Sequence, residues 1–341
     1  MSDDSELQLS DQFSGALFGA TIGDALALPY QHYSREFLTS LAAELTTEYR
    51  KHHTGFFPSG QYSDDGQTML ALLDATLLQD PDSVSQGLQI PLVLRHILPL
   101  WRDQLLIERD ASCAQAITRL LATERQWPPQ PHEEGRAEVA PVGRVLSVAL
   151  LYHARSEVLQ KQVEDLVALT HTDRRTMACA AAFAAAIASN VQTSDLILGT
   201  ILDAMANAAA RHDPLVQEII LDLPRILSMT EYRAAQHFDH VYPDEAYPIN
   251  EDGLGDYCVP ALLFALYYFF RTPYNYEETV KNCLRIGGKN DTTVFIAGAL
   301  SGSLVGKEAL PAHLVENLVC TEKIVRQSEE LYRYWRLVHA E

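Results

Sequence analysis

Glycine recurs every four residues in two segments near opposite ends of this chain. The first segment contains Gly15, Gly19 and Gly23, and the second contains Gly298, Gly302 and Gly306. A glycine inside a helix costs about 1 kcal/mol relative to alanine. Three glycines on one helical face therefore indicate that another backbone comes very close. The pattern predicts two central, buried helices that pack tightly, either against each other or against other neighbours.

Most of the remaining sequence has the periodicity of amphipathic helices, and the alternating pattern of strands is scarce. Without β-α-β alternation or a repeat of solenoid length, the chain is predicted to be all-α. Further helices are predicted over residues 63–79, 142–152, 160–170, 174–189, 196–210, 215–227, 257–271, 276–285, 292–304 and 314–338. Segments 126–140 and 237–255, which contain Pro and Gly, are predicted as long surface loops. We predict a flexible N-terminus over residues 1–9 and a single all-α domain over 10–341.

The charge excludes several classes of partner. Of the 341 residues, 26 are Lys or Arg and 45 are Asp or Glu, so the formal charge is −19, and no basic run is present. Binding to a nucleic-acid backbone or to an anionic membrane surface is therefore not expected. The longest apolar stretches, 177–188 and 259–270, are shorter than the roughly 20 residues that span a bilayer. The five cysteines are isolated and the N-terminus is acidic, which favours a cytoplasmic protein without disulfides.

Two predicted helix starts place aspartate beside serine or threonine. The first is Ser63-Asp64-Asp65, and the second is Gly287-Gly288-Lys289-Asn290-Asp291-Thr292. A third aspartate, Asp24, follows Gly23 at the end of the first glycine segment. Helix capping alone explains each of these motifs. The same residues also supply the hard oxygen ligands that Mg²⁺ accepts, so a metal site is the alternative interpretation.

Five motifs in order resemble the ADP-ribosylglycohydrolase family. They are the glycine segment ending in Gly23-Asp24-Ala25-Leu26, the Ser63-Asp64-Asp65 helix start, Thr170-His171-x-Asp173, Gly287-Gly288-x-x-Asp291-Thr292, and Leu310-Pro311 before a final helix. Each motif alone is weak, but their order and spacing cover nearly the whole chain. The resemblance implies a compact orthogonal bundle of helices with a binuclear Mg²⁺ or Mn²⁺ centre. It also implies hydrolysis of the bond between ADP-ribose and an acceptor on a protein or small molecule.

The resemblance assigns roles residue by residue. Ser63, Asp64, Asp65, Asp291 and Thr292 would be metal ligands. Asp64, Asp65 and the position of Gln31 would be catalytic, and Asp24, Lys289 and Asn290 would contact the ligand. His171 is interpreted as a packed histidine rather than a general base. Residues 267–270 are interpreted as core, whereas Tyr242, Tyr247 and Tyr257 either stack on an adenine or pack within a loop.

The chain departs from the family pattern at several positions. Gln31 stands where the family has an acidic residue, and Lys289 stands where the second metal motif has aspartate. Gly66 replaces a threonine or serine, and residues 132–141 lack the Asn-Gly segment that helps to hold ADP-ribose. The Gln31 and Lys289 changes together make the site three charge units more positive. Lys289 either replaces one cation electrostatically or points to solvent while one metal remains.

Three functional hypotheses remain open at this stage. The first is an ADP-ribosyl-acceptor hydrolase with an altered centre that holds two, one or no Mg²⁺ or Mn²⁺ ions, depending on Lys289. The second is a catalytically inactive relative that binds ADP-ribose, another nucleotide or a protein partner. The third is a purely structural protein on the same scaffold. Gln31 and Lys289 favour the second hypothesis, and the retained Ser63, Asp64, Asp65, Asp291 and Thr292 favour the first.

Overall fold

The computed structural model describes residues 3–122, 136–193, 195–241 and 253–339. Its α-helices, in chain order, are α1 Asp3–Ala27, α2 Arg35–Ser40, α3 Asp64–Leu77, α4 Pro81–Val84, α5 Ile90–Arg102, α6 Ala111–Ala122, α7 Ala140–Arg144, α8 Leu146–Leu151, α9 Ser156–Ala168, α10 Arg174–Asn190, α11 Leu198–Ala210, α12 Pro214–Leu221, α13 Leu223–Leu227, α14 Glu231–Val241, α15 Cys258–Arg271, α16 Tyr276–Leu284, α17 Asp291–Val305, α18 Ala312–Glu316 and α19 Thr321–Val338. Two 3₁₀ turns cover Leu28–Tyr30 and Lys307–Ala309. Extended pairing in the described ranges is limited to two isolated bridges, which confirms the all-α prediction.

The two glycine segments lie in α1 and α17, and they pack against each other. A Cβ atom on Gly19 would collide with the carbonyl oxygen of Gly298, and one on Gly15 would collide with that of Gly302. At the end of this interface, a Cβ atom on Gly23 would lie 2.6 Å from the carbonyl oxygen of Val294. Real Cβ atoms do not approach so closely. The prediction of two central and tightly packed helices is therefore confirmed, and the two helices are each other's partners.

Side chains of the neighbouring helices α10 and α16 donate hydrogen bonds to α1 and α17. The hydroxyl group of Tyr276 in α16 donates to the carbonyl oxygen of Gly19 at 2.7 Å. In α10, the Asn190 amide donates to the carbonyl oxygen of Leu300 at 3.0 Å and to the Ser303 hydroxyl at 2.9 Å. Every residue of α17 from Asp291 to Leu304 is buried. This burial fixes the position of Asp291, which begins the helix.

The structure corrects several predicted boundaries. The helix predicted over 314–338 is interrupted between α18 and α19, where Cys320 adopts a left-handed conformation with φ of 60°. The helix predicted over 215–227 is divided into α12 and α13, because Pro224 in the first turn of α13 has no N–H group to continue α12. Helix α14 extends to Val241 and so occupies the start of the loop predicted over 237–255. Most of that loop, with Tyr242 and Tyr247, and most of 126–140 lie outside the described residues.

The flexibility predicted for residues 1–9 and the single domain predicted over residues 10–341 stay predictions. Helix α1 begins at Asp3, within the segment 1–9 for which flexibility is predicted.

The core prediction for residues 267–270 is confirmed for the first three residues, since Tyr267, Tyr268 and Phe269 are buried. Phe270 is partly exposed and packs against the same core.

Candidate metal and ligand site

The start of α3 carries the first acidic motif and is held in place by α1. Ser63 is the N-cap, and its hydroxyl oxygen accepts from the backbone N–H of Asp65 at 3.2 Å. Asp24, near the end of α1, accepts from the N–H groups of Ser63 and Gly66, each at 3.0 Å. A side chain on Gly66 would meet Tyr62 and Asp24, so the glycine allows this close contact. The ligand role predicted for Asp24 stays a prediction, while its described hydrogen bonds bind the two helices together.

Asp24 is fully buried, and this burial has an electrostatic consequence. Burial, together with the negative charge of Asp291, raises the pKa of Asp24 to about 7. Its hydrogen bonds with Ser63 and Gly66 oppose that rise. A carboxyl group at this position therefore changes its charge near neutral pH.

The start of α17 carries the second acidic motif and is shaped by two glycines. Gly287 and Gly288 have φ values of 78° and 74°, which side chains rarely adopt. The N–H of Gly288 donates to the carbonyl oxygen of Tyr33 at 2.9 Å, and the N–H of Lys289 donates to that of Leu254 at 2.8 Å. A Cβ atom on either glycine would collide with one of these neighbouring backbones. The turn thus holds the residues after it in a fixed position between two loops.

Asp291 is the centre of the predicted site. One carboxylate oxygen, Oδ2, accepts from the side-chain amide of Gln31 at 2.5 Å. The other oxygen, Oδ1, is buried and has no hydrogen-bond partner among the described residues. Burial raises the pKa of Asp291, although the charge of Lys289 and the backbone N–H groups at the helix start oppose that shift. An unsatisfied buried oxygen is costly, and a bound cation is one way to satisfy it.

Asp64 and Asp65 are buried within electrostatic reach of Asp291. Burial and the charge of Asp291 raise the pKa of Asp64 well above its ordinary value. Burial and the charges of Asp64 and Asp291 do the same for Asp65, whose carboxylate is also hydrogen-bonded to Thr292. The structure thus brings the two helix starts within range of electrostatic interaction. Their roles as metal ligands or catalytic groups stay predictions.

Lys289 does not point freely into solvent. Its ammonium lies 2.7 Å from a carboxylate oxygen of Asp256 and 3.7 Å from one of Asp110. Burial by itself lowers the pKa of Lys289, but the charges of Asp256, Asp291 and Asp110 outweigh it and raise the pKa. The ammonium is therefore charged and sits beside the acidic cluster. The adjacent Asn290 turns away and donates to the carbonyl oxygen of Leu284 at 2.9 Å.

Three acidic residues near this site were missed by sequence reasoning. Asp110 accepts at 2.8 Å from the N–H of Cys113, and its own N–H donates to Asp64 at 3.3 Å. An aspartate three residues before that N–H is a helix-cap signal that could have drawn attention to it. Glu138 pairs with the buried His171 at 3.3 Å, and neither Glu138 nor Asp256 stands in a recognisable motif. Tyr257, one of the three candidate stacking tyrosines, has the guanidinium of Arg175 5.6 Å from its ring centre.

The sequence and the fold were compared with known proteins. Residues 5–340 match the family profile described as ADP-ribosylglycohydrolase.

The chain belongs to the ADP-ribosylglycohydrolase family.

Two known proteins are similar to this chain over nearly its whole length. An uncharacterized protein of Archaeoglobus fulgidus is 23% identical over 335 residues, which cover 95% of this chain and 97% of that protein. A solved structure, titled "ADP-ribosylglycohydrolase-related protein complex", superposes with a TM-score of 0.66 at 19% identity and covers 96% of this chain and 99% of that one. At this identity the structural similarity supports the fold alone. The predicted family resemblance and its helical architecture are both confirmed.

The residues of this candidate site fit a divalent cation in part. The buried Oδ1 of Asp291 has no hydrogen-bond partner within the described ranges. Together with Asp64 and Asp65, which interact with Asp291 electrostatically, it offers hard oxygen donors suited to Mg²⁺ or Mn²⁺. The ammonium of Lys289 adds positive charge beside them, which opposes the rise in the pKa of Asp291. Among the described helices, none is both long enough and apolar enough to cross a membrane.

Proposed function

We propose that this protein hydrolyses the glycosidic bond between ADP-ribose and a modified acceptor, at an altered centre that holds one divalent cation. The observation that carries the proposal is the buried Asp291 carboxylate. One of its oxygens has no hydrogen-bond partner among the residues that the structure describes, and it interacts electrostatically with Asp64 and Asp65. Three buried carboxyl groups that repel one another are costly to fold together unless a cation or protons offset their charge.

Ser63, Asp64, Asp65, Asp291 and Thr292 would hold a Mg²⁺ or Mn²⁺ ion. When bound, such an ion polarises ribose hydroxyl groups and lowers the pKa of water. Lys289 takes the place of a second ion as a charge but not as a Lewis acid. At an effective dielectric constant near 20, a monovalent and a divalent cation about 4 Å apart repel by roughly 8 kcal/mol. The nearby Asp256 offsets part of that repulsion for one ion.

The chain's own groups would bind the substrate and move protons. Burial raises the pKa values of Asp64 and Asp65, so each holds a proton more readily than an exposed carboxyl group does. The side-chain amide of Gln31 cannot accept a proton as a carboxylate at this position would. Instead, it donates a hydrogen bond to one oxygen of Asp291. Turnover is therefore expected to be slow. The substrate would be ADP-ribose on a protein or small molecule, and the cytoplasm is the proposed compartment.

A second candidate is a non-catalytic relative that binds ADP-ribose or a related nucleotide. The hydrogen bond from Gln31 to Asp291 and the ion pair of Lys289 with Asp256 favour it. Both contacts satisfy the acidic cluster from within the protein and reduce its need for metal. This candidate predicts binding of ADP-ribose that is independent of Mn²⁺.

Calorimetric titration with Mn²⁺, together with release of ADP-ribose from arginine-linked, serine-linked and nucleic-acid-linked substrates, tests the two candidates. The proposal expects one Mn²⁺ per chain and slow release that chelation abolishes. The double variant Lys289→Asp with Gln31→Glu should bind Mn²⁺ at least about tenfold more tightly, because it makes the net charge of the site three units more negative. Lys161→Asp with Gln236→Glu makes the same charge change at exposed positions on α9 and α14 and should leave the affinity unchanged.

Two other results would contradict parts of the proposal. If neither the wild type nor the double variant binds Mn²⁺ or releases ADP-ribose, while both bind free ADP-ribose, then the non-catalytic candidate replaces the proposal. Two tightly bound Mn²⁺ ions with rapid turnover in the wild type would overturn the one-cation centre and retain the hydrolase.

A further inference from the structure

A second group of metal-binding side chains lies beside the carboxylate site. Asp110, Cys113 and His171 each offer one ligand atom, and these three atoms all lie within 4.8 Å of one another. All three residues are buried, with His171 completely so. They come from the loop before α6, the first turn of α6 and the segment between α9 and α10. The cluster is therefore assembled by the tertiary structure and not by a local motif.

The chemistry of this cluster differs from that of the first site. Thiolate and imidazole are ligands for Zn²⁺ and similar ions, whereas carboxylate, hydroxyl and water suit Mg²⁺ and Mn²⁺. We propose that Asp110, Cys113 and His171 form a separate site for a thiophilic divalent cation of the Zn²⁺ type. Binding releases the thiol proton of Cys113 to solvent, and no electron is transferred.

The surroundings orient the ligands as metal sites require. His171 is hydrogen-bonded through Nδ1 to the Thr170 hydroxyl at 2.9 Å and through Nε2 to Glu138 at 3.3 Å. We assign Nδ1 to the cation, because the contact of Nε2 with a carboxylate is the outer-shell partner that metal-bound histidines usually have. Thr170 keeps a second partner, since it accepts from Arg144 at 2.9 Å.

The charges of the two acidic ligands match the charge of a bound divalent cation. Ionised Asp110 and Cys113 together carry two negative charges, which match the cation. The guanidinium of Arg144 lies 3.5 Å from the Cys113 sulfur and supplies positive charge beside the thiolate. Lys289 has Asp256 as its nearer partner and can keep it when Asp110 turns to the metal.

The cluster also borders the first site. One small cavity is lined by Cys113 and Arg144 together with Asp64 and Asp65. The N–H of Asp110 donates directly to Asp64 at 3.3 Å. Three protein ligands leave one position of a tetrahedral site for water or a ligand group. The carboxylates proposed to act on ADP-ribose line the same cavity as Cys113.

Titration of the full-length protein with Co²⁺ tests this site separately from Mn²⁺ binding. A cobalt–thiolate bond gives a charge-transfer absorption in the near ultraviolet, whereas Co²⁺ bound only by carboxylates does not. The experiment uses the Cys320→Ser background, because Cys320 is the exposed thiol among the five free cysteines. We expect the absorption to saturate at one Co²⁺ per chain and to be displaced by Zn²⁺.

Three variants and a control locate the absorption. Cys113→Ser should remove it, and Asp110→Asn should weaken Co²⁺ binding while keeping the shape of the side chain. Glu138→Gln should weaken binding by about 10- to 100-fold through loss of the outer-shell contact. Cys283→Ser, at another buried free cysteine, should leave it unchanged. Absence of the band in the background protein, or its persistence in Cys113→Ser, would overturn the proposal. If Cys113→Ser does not fold by circular dichroism, the Asp110→Asn and Glu138→Gln affinities decide, and unchanged values count against the site.

Discussion

The glycine interface between α1 and α17 and the carboxylate cluster at its end lie on the same two helices, yet they are stabilised in opposite ways. In the interface, Gly19 and Gly298 let two uncharged backbones meet. In the cluster, burial and the negative charge of Asp291 raise the pKa of Asp24. Packing favours the first contact, and electrostatics disfavours the second.

This difference shows what the interface does for the site. Asp24 directly follows Gly23, and Asp291 lies three residues before Val294, whose carbonyl oxygen faces Gly23. The close approach of the helices therefore sets the distance between the carboxylates. The free energy gained along the interface holds together charges that would otherwise separate. The same arrangement is the basis of the proposed cation site.

Enlarging a glycine in the interface should have the largest effect on stability. In Gly19→Leu, even the Cβ atom collides with the backbone at Gly298, which cannot move as a flexible side chain could. We expect the free energy of unfolding to fall by at least about 3 kcal/mol, the upper end of ordinary overpacking. Chemical denaturation monitored by circular dichroism measures it, and an unchanged midpoint would show that the helices do not meet there.

Removing the carboxylate of Asp24 should have the next largest effect. In Asp24→Ala, the buried N–H groups of Ser63 and Gly66 lose their acceptor, which costs about 2 kcal/mol of stability. Asp24→Asn retains an acceptor oxygen and removes the repulsion from Asp291, so it should be considerably more stable than Asp24→Ala. Equal destabilisation of both variants in the same denaturation assay would mean that the charge of Asp24, and not its hydrogen bonds, stabilises the start of α3.

The pH dependence should be smaller but specific to the cluster. Because the pKa of Asp24 in the folded protein is about 7, above its ordinary value of 3.8, its contribution to stability is present below about pH 4 and is lost as the pH rises through 7. A cation that requires the ionised cluster should bind about tenfold more tightly near pH 8 than near pH 6.

Comparison with Asp24→Asn isolates this contribution. Burial lowers the pKa of His153 and His212, and these histidines change stability with pH in the opposite direction. Subtracting the variant's unfolding profile from that of the wild type removes their effect. Mn²⁺ affinity that is equally steep in both proteins would show that Asp24 is not the titrating group.

The smallest predicted effect comes from a glycine outside the interface. Gly199 in α11 is exposed, and a Cβ atom there would meet no atom within 4 Å. Gly199→Ala should stabilise the protein by about 0.4–1 kcal/mol, because it reduces the freedom of the unfolded chain. The same denaturation assay measures it, and its sign should be opposite to that of Gly19→Leu. A destabilisation of similar size at both positions would mean that the glycine pattern itself does not distinguish the interface.

The amino-acid sequence by itself determined the helical fold, the central glycine helices and the two acidic helix starts. These features depend on local rules: apolar periodicity, the cost of glycine in a helix, and the capping preference of residues such as Ser63. The same rules could not predict the break at Cys320, because a left-handed residue other than glycine carries no clear local signal.

Only the tertiary structure decided which charges share the site. Asp110, Glu138 and Asp256 come from separate segments, and each resembles an ordinary loop or cap residue in the sequence. Their roles depend on distances in three dimensions. In the sequence, Lys289 could either face solvent or replace a cation. In the structure, its ion pair with Asp256 at 2.7 Å sets its position. Electrostatic interactions depend on separation and burial in three dimensions, which residue spacing along a chain does not encode.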